Sequence, residues 1–155
     1  MSIRETVLER ACGNRLRLFW RLFFLRARTA WPPARSLLTV LLCRSARRHG
    51  GYVGPGAQVE GVPSLPHGLH GVYISRFARV GAGCRIYQNV TVGEVDGRAP
   101  HIGRGCLIGA NAVLVGPITV GDGARIGAGA VVACDVPPGA TVVAQAPRIL
   151  PGGGK

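Results

Sequence analysis

Lysine is nearly missing from this chain: among 155 residues only Lys155 is Lys, while eighteen are Arg. Acids are scarce too, with Asp and Glu together numbering 7, so the formal net charge is +12. So one-sided a preference for Arg weakens any reading that rests on Arg alone. No apolar run approaches the roughly 18 residues of a membrane span. The longest plain run near the N-terminus, residues 37–43, is interrupted by Thr39. The first ten residues hold Glu5 and Glu9 and lead to no short apolar core with a small-residue cleavage site, so no signal peptide is expected. The five Cys (Cys12, Cys43, Cys84, Cys106, Cys134) are odd in number, scattered and without a CxxC. That pattern suits reduced thiols in a cytoplasm rather than a disulfide framework or a structural zinc. A hydrophobic fraction of 47% with only 17% charged residues excludes wholesale disorder, and glycines without a period of three exclude collagen.

What is present divides in two. Residues 1–50 carry eleven Arg against two acids, a net charge of +9, whereas residues 51–155 carry eight basic and five acidic residues, a net charge of +3. Of the 24 glycines, 22 lie after residue 50. At about 100–200 residues per domain, a chain of 155 has room for one domain and an appendage.

In the first part, Ile3 to Arg28 interleaves apolar residues with Arg, and Gly13 is its only Gly or Pro. Leu16, Phe19, Phe23 and Trp20, Phe24 recur at three- and four-residue spacings, predicting a helix with one broad apolar face. Trp31-Pro32-Pro33 stops that helix and opens a second, expected from about Ala34 to Arg48, that presents Leu37, Leu38, Leu41 and Leu42. The expected use of residues 1–50 is a cap on the following domain that also contacts neighbouring subunits. Peripheral contact with an anionic membrane surface is a second reading. No nucleic-acid partner is expected, because the Arg residues alternate with large apolar ones and no recognised motif appears.

The second part is an internal repeat. Aliphatic residues recur every six positions: Val53, Val59, Leu65; then Ile74, Val80, Ile86, Val92; then Ile102, Ile108, Leu114, Val120, Ile126, Val132. Gly commonly follows each, and four positions after the aliphatic residue a small or apolar one recurs, as at Ala57, Ala78, Cys84, Val90, Cys106, Ala112 and Ala124. Six residues make one short strand and one corner, and three such units close a triangular coil. The aliphatic residue points inward and stacks on its equivalents, while Gly fits the tight corner. Thirteen hexads predict about four coils of a mainly β solenoid. Cys84 and Cys106 fall at the small inward position and are expected to be packing residues, not nucleophiles.

The register fails twice, between Leu65 and Ile74 and between Val92 and Ile102. Insertions in a rigid solenoid become surface loops, where function concentrates. His67 and His70 occupy the first break and His101 closes the second; only His49 lies elsewhere. Four hexads separate the breaks, so their loops are expected on neighbouring corners, offset by one coil, about 4.8 Å along the axis. A site shared between adjacent prisms follows more easily than one within a single prism, which predicts an oligomer.

The stretches LPHGLHGVYIS (65–75), CRIYQNVTVG (84–93), IGRGCLIGANAVL (102–114), GAGAVVACDVPP (127–138) and APRIL (146–150) resemble the hexapeptide acyltransferases, most closely the serine O-acetyltransferase-like group. The resemblance implies a left-handed parallel β-helix over residues 51–145, after the helical segment 1–50 and before a tail, 146–155. It further implies a homotrimer with acetyl-CoA as co-substrate between subunits, no metal, and an acyltransferase of cysteine biosynthesis. By resemblance His67 is the general base, with His70 the alternative if the extra residue before Gly71 shifts the alignment. Arg98 and His101 would bind the acceptor, Ala110 and Ala128 would flank the pantetheine arm, and Arg148 would meet CoA phosphates. Two departures stand out: Ala99 takes the place of a His that helps hold the amino acid in this group, and Pro66 that of an acid before the catalytic His. A small-molecule hydroxyl is thus the expected acceptor, serine ahead of a sugar hydroxyl on a glycan or natural product. A γ-type carbonic anhydrase using three His on zinc, and a non-catalytic scaffold, are the readings from other classes.

Overall fold

Thirteen residues free of Gly and Pro, Leu16–Arg28, form helix α1, which buries Leu16, Phe19, Trp20 and Phe23. Their spacing stacks aromatic rings edge to face, Phe19 on Trp20 at 5.1 Å and Trp20 on Phe23 at 5.5 Å between centroids. Helix α2 spans Pro32–Arg48 and begins on the two prolines, whose missing N–H groups lack no helical partner in a first turn. It ends where Gly50 takes φ 70°, so that Gly50 N–H donates to the Arg47 carbonyl (3.1 Å) and Gly51 N–H to that of Ala46 (3.2 Å). This left-handed cap turns the chain straight into the first strand. In this computed structural model residues 16–146 are described; the expected helix before Leu16, Cys12, Arg148 and the rest of the chain from 147 lie outside them.

After the helices come thirteen strands of two or three residues. The first coil has β1 (Tyr52–Val53) and β2 (Gln58–Val59), with Ser64 bridging to Arg85 at its third side. The second has β3 (Tyr73–Ile74), β4 (Arg79–Val80) and β5 (Arg85–Ile86). The third has β6 (Thr91–Gly93), β7 (His101–Ile102) and β8 (Leu107–Ile108), and the fourth β9 (Val113–Val115), β10 (Thr119–Val120) and β11 (Arg125–Ile126). The last, partial coil holds β12 (Val131–Val132) and β13 (Thr141–Val142). All strand pairings are parallel and join residues of successive coils, giving three sheets in the orders β1-β3-β6-β9-β12, β2-β4-β7-β10 and β5-β8-β11-β13. This is the β-helix that the six-residue period predicts.

The aliphatic column behaves as expected: Ile74, Val80, Ile86, Val92, Ile102, Ile108, Leu114, Val120 and Ile126 are all fully buried. Val59 is only half-buried, because it belongs to the terminal coil and has a coil on one side alone. The second inward column (Ala78, Cys84, Val90, Cys106, Ala112, Ala124) is buried as well. One apolar cluster runs without interruption from Leu16 of α1 through the coils to Val136. The helices therefore close the first coil. The second helix differs from expectation: it buries Leu42 and Ala46 but leaves Leu37 and Leu41 61% and 40% exposed. It packs against α1 and β1, with Arg26 of α1 donating to the Thr39 hydroxyl, but the short link to β1 turns only Leu42 and Ala46 into the core, and nothing described covers the outer side of its N-terminal half.

Candidate active site

The first break is a loop built around one apolar plug. Leu69 and Val72 are buried, the Gly68 N–H donates to the Leu65 carbonyl (3.0 Å), and the Val72 N–H donates to that of Leu69 (3.0 Å). With Leu65, Leu69 and Val72 turned inward, His67 and His70 are left outside on either side of Leu69, both exposed. They face different neighbours. The His67 ring tilts against Tyr87, 6.0 Å between centroids, toward the following coils. The Nδ1 of His70 sits by Gly50, where a side chain would meet it at 3.4 Å, on the helical side.

Below this loop the same corner repeats from coil to coil. The Asn89 N–H donates to the His70 carbonyl (3.0 Å), Asn111 N–H to that of Gln88 (3.1 Å), and Gly129 N–H to that of Ala110 (2.8 Å). Each donor holds a left-handed conformation, Asn89 at φ 57°, Asn111 at φ 60° and Gly129 at φ 69°. Asn tolerates that region because its short amide bonds locally, and here the Asn89 side-chain amide donates to the Asn111 side-chain oxygen (3.1 Å). His67, His70, Ala110 and Ala128 thus share one corner. Ala110 is half-buried and Ala128 exposed, leaving a strip with little side-chain bulk beneath the His loop. Gln88, on this corner, has a buried side-chain oxygen with no hydrogen-bond partner among the described residues. Neither periodicity nor motif had singled it out.

The second break lies on the next corner, at the opposite edge of the β1-β3-β6-β9-β12 sheet. It is a two-residue hairpin: Val95 and Arg98 exchange backbone hydrogen bonds at 2.9 and 3.0 Å around Asp96 (φ 51°) and Gly97 (φ 72°). An Asp-Gly pair suits two positive φ angles in succession. The Ser75 hydroxyl donates to the Glu94 carboxylate and ties the hairpin's base to the preceding coil. Arg98 and His101 line a cavity of about 490 Å³ together with Arg76, Arg79, Phe77 and Thr119. His101 projects from β7 between Arg79 of β4 and Thr119 of β10. No acid lines this cavity, and the ion pair found among the described residues, Arg104 with Glu60 at 2.9 Å, is elsewhere. Arg76 and Arg79 were not foreseen as part of it; the spacing of 22 residues from Arg79 to His101, one coil with its insertion, was the signal available.

Within one chain the two loops are not brought together: His67 and His70 stand at one edge of the sheet, Arg98 and His101 at the other. Among the described residues no three His, Cys, Asp or Glu are grouped to hold a metal ion. The outward side of the sheet between the two edges is the least charged of the three, with Tyr52 stacked on Tyr73 at 4.8 Å, then Thr91, Val113 and Val131. The other two sheets present Arg79 and His101, and Arg85 and Arg125. Burial and the neighbouring Tyr73 hold the Tyr52 hydroxyl above its ordinary range. Cys84 and Cys106 are buried in successive coils, their thiols pointing at the carbonyls of Gly103 (3.1 Å) and Gly121 (3.2 Å). Contact with the Cys106 thiol and burial push the Cys84 thiol above the ordinary range, and the same contact lowers the Cys106 thiol. Both thiols are closed off inside the coils, which is packing and not the accessible environment of a nucleophile.

The coils carry a hexapeptide repeat, and residues 99–134 match the family described as bacterial transferase hexapeptide (six repeats). Over a longer stretch the chain is similar to serine acetyltransferases, as the resemblance of its motifs implies. It is 39% identical over 105 residues to the serine acetyltransferase of Synechococcus elongatus, covering 65% of this chain and 43% of that one. With the enzyme of Mycobacterium tuberculosis identity is 40% over 102 residues, covering 63% of this chain and 44% of the relative. Among solved structures, serine acetyltransferase of Neisseria gonorrhoeae in complex with serine superposes with a TM-score of 0.73 at 34% identity, covering 82% of this chain and 53% of that one. The chain spans about half the length of the curated relatives it matches.

Proposed function

We propose that the protein transfers an acetyl group from acetyl-CoA to a hydroxyl, that of serine before any other. The observation that carries this reading is the shared corner: the His67 loop stands in line with Ala110 and Ala128 on a β-helix similar to serine acetyltransferases. His67 is the better-placed base, since its ring faces the coils bearing the two Ala whereas His70 turns to Gly50. His67 takes the hydroxyl proton while the acceptor oxygen bonds to the thioester carbonyl carbon. The C–S bond then breaks, and the imidazolium returns the proton to the departing thiolate. A positioned base of this kind contributes about 10²–10⁴-fold. Arg98, His101, Arg76 and Arg79 form a cationic cavity suited to the carboxylate of an amino acid.

Because base and acceptor cavity lie at opposite edges of one sheet, a working site needs two copies. We assign the sheet bearing Tyr73 (50% exposed) and Val131 (71% exposed) to contacts between subunits of a homotrimer. Each copy would then set its His67 corner against the Arg98 hairpin of the next. The described cysteines are all free thiols, which supports a cytoplasmic location. The deciding experiment measures CoA release from acetyl-CoA with L-serine and with a panel of hydroxylated sugars. Turnover with serine supports the reading, turnover with sugars alone moves the acceptor, and CoA binding without turnover on either overturns it. Mixing inactive His67→Ala and Arg98→Ala subunits, unfolded and refolded together, recovers part of the activity if the site is shared. No recovery would place it within one chain.

A further inference from the structure

The outer surface of the helical pair has no use in the reaction above. Residues 16–48 contain eight Arg and not one acid. The inner faces of the helices are consumed in closing the first coil. Outside remain six large apolar side chains: Leu18 (63% exposed), Leu25 (54%), Trp31 (68%), Leu37 (61%), Val40 (49%) and Leu41 (40%).

Their arrangement is regular. On α1, Leu18, Arg21, Leu25 and Arg28 follow one another at three- and four-residue steps and so share one stripe; on α2, Leu37, Leu41, Arg44 and Arg48 do the same. Trp31 stands in the turn between the helices. Among the helical Arg, Arg26 is turned inward, its guanidinium donating to the Thr39 hydroxyl (2.7 Å) and to the Pro55 carbonyl. Arg21, Arg28, Arg44 and Arg48 have no ion pair among the described residues.

Three kinds of partner can be weighed against that surface. A second copy of the same face would press guanidinium on guanidinium with no acid to offset them. A nucleic acid would satisfy the Arg residues but leave six bulky apolar side chains in water. An anionic bilayer satisfies both, since apolar side chains enter the boundary of the acyl chains while guanidinium groups sit among the phosphates. We propose that the outer face of α1 and α2 holds the protein peripherally on a membrane surface rich in anionic phospholipid. The later coils of the β-helix, with the Arg98 hairpin, would then stand off the bilayer on the far side of the helical pair. The His67 loop lies beside α1, where Pro66 shares a groove with Arg21, Leu25 and Arg28.

The test is flotation of the full chain with vesicles of phosphatidylcholine alone and of phosphatidylcholine mixed with phosphatidylglycerol. Binding is expected to the mixed vesicles only, and to weaken as salt is raised. Replacing Arg21 and Arg44 by Gln should weaken it about five-fold per guanidinium removed. Trp31→Ala combined with Leu37→Ser should weaken binding without changing acetyl transfer in solution. No flotation, or equal flotation on neutral vesicles, would overturn the proposal. So would a change of oligomeric state in Trp31→Ala/Leu37→Ser without loss of vesicle binding, which would make this face a subunit contact.

Discussion

The His67 ring lies 6.0 Å from that of Tyr87, centroid to centroid, with the two planes inclined at 47°. Tyr87 therefore forms one wall of the space into which the imidazole turns. Replacing His67 by Ala is expected to lower kcat by about 10²–10⁴-fold, measured as CoA release at saturating acetyl-CoA. His70→Ala should cost far less. The reverse order would shift the base by the residues of the loop, and no effect from either would sink the mechanism.

Ala128 is exposed on the corner below the His loop. Ala128→Trp should obstruct the pantetheine arm without disturbing the coil. The expected result is weaker acetyl-CoA binding by calorimetry with an unchanged circular dichroism spectrum and melting temperature. Unchanged affinity would remove this corner from the co-substrate path.

On the other corner, Arg79 stands beside His101 in the cavity proposed to take the acceptor. Arg79→Gln should raise KM for an acceptor that bears a carboxylate, such as serine, while leaving KM for acetyl-CoA and kcat nearly unchanged, the pattern of binding lost equally from ground and transition states. A fall in kcat at constant KM would mean that Arg79 acts on the transition state instead.

The core invites a paired comparison. Ile108→Ala removes a fully buried aliphatic residue and is expected to cost about 2–5 kcal/mol in denaturant unfolding. Cys106→Ala places at an inward small site the residue already found at the equivalent sites 112 and 124, and should cost little and retain full activity. Loss of acetyl transfer in Cys106→Ala would return that thiol to consideration as a nucleophile.

Glu60 and Arg104 join the first coil to the third across 44 residues of chain. The hydrogen bond from Arg104 holds the Glu60 carboxyl below its ordinary range. Its stabilising contribution is therefore complete above the ordinary Glu pKa and fades as pH falls through the lowered value. Both side chains are exposed, so the effect is small and screened by salt. Melting curves of Glu60→Gln should approach those of the parent protein as pH falls through that range. A constant difference down to the lowest pH would show that Glu60 acts through something other than its charge.

How much of this was legible in the residues can be judged element by element. The coils were, because a period of six admits few structures and each inward aliphatic residue confirms the register of the next. The neighbouring corners of the two loops were legible as well, from counting alone. The outward residues of α2 were not, because the apolar periodicity of Leu37, Leu38, Leu41 and Leu42 cannot show how far a short link to β1 lets that helix reach. Nor was the cationic cavity, since Arg76, Arg79, Arg98 and His101 are scattered in sequence and meet only through insertion and coil together. The distinct surroundings of His67 and His70 depended on which way Leu69 points, and that is settled by packing.

Four hexads, Ile74 to Val92, stand between the two breaks, and three make a turn. The solenoid therefore works as a dial. Adding or removing three hexads between the loops changes their separation in height and leaves their bearing fixed. Adding or removing one swings the hairpin of Arg98 and His101 through a third of a revolution while every coil remains well packed. A change of that kind would pass unnoticed in stability and be decisive for activity, since it aims the hairpin at a different neighbour. In this architecture, chain length between loops is a catalytic variable in its own right, independent of any side chain.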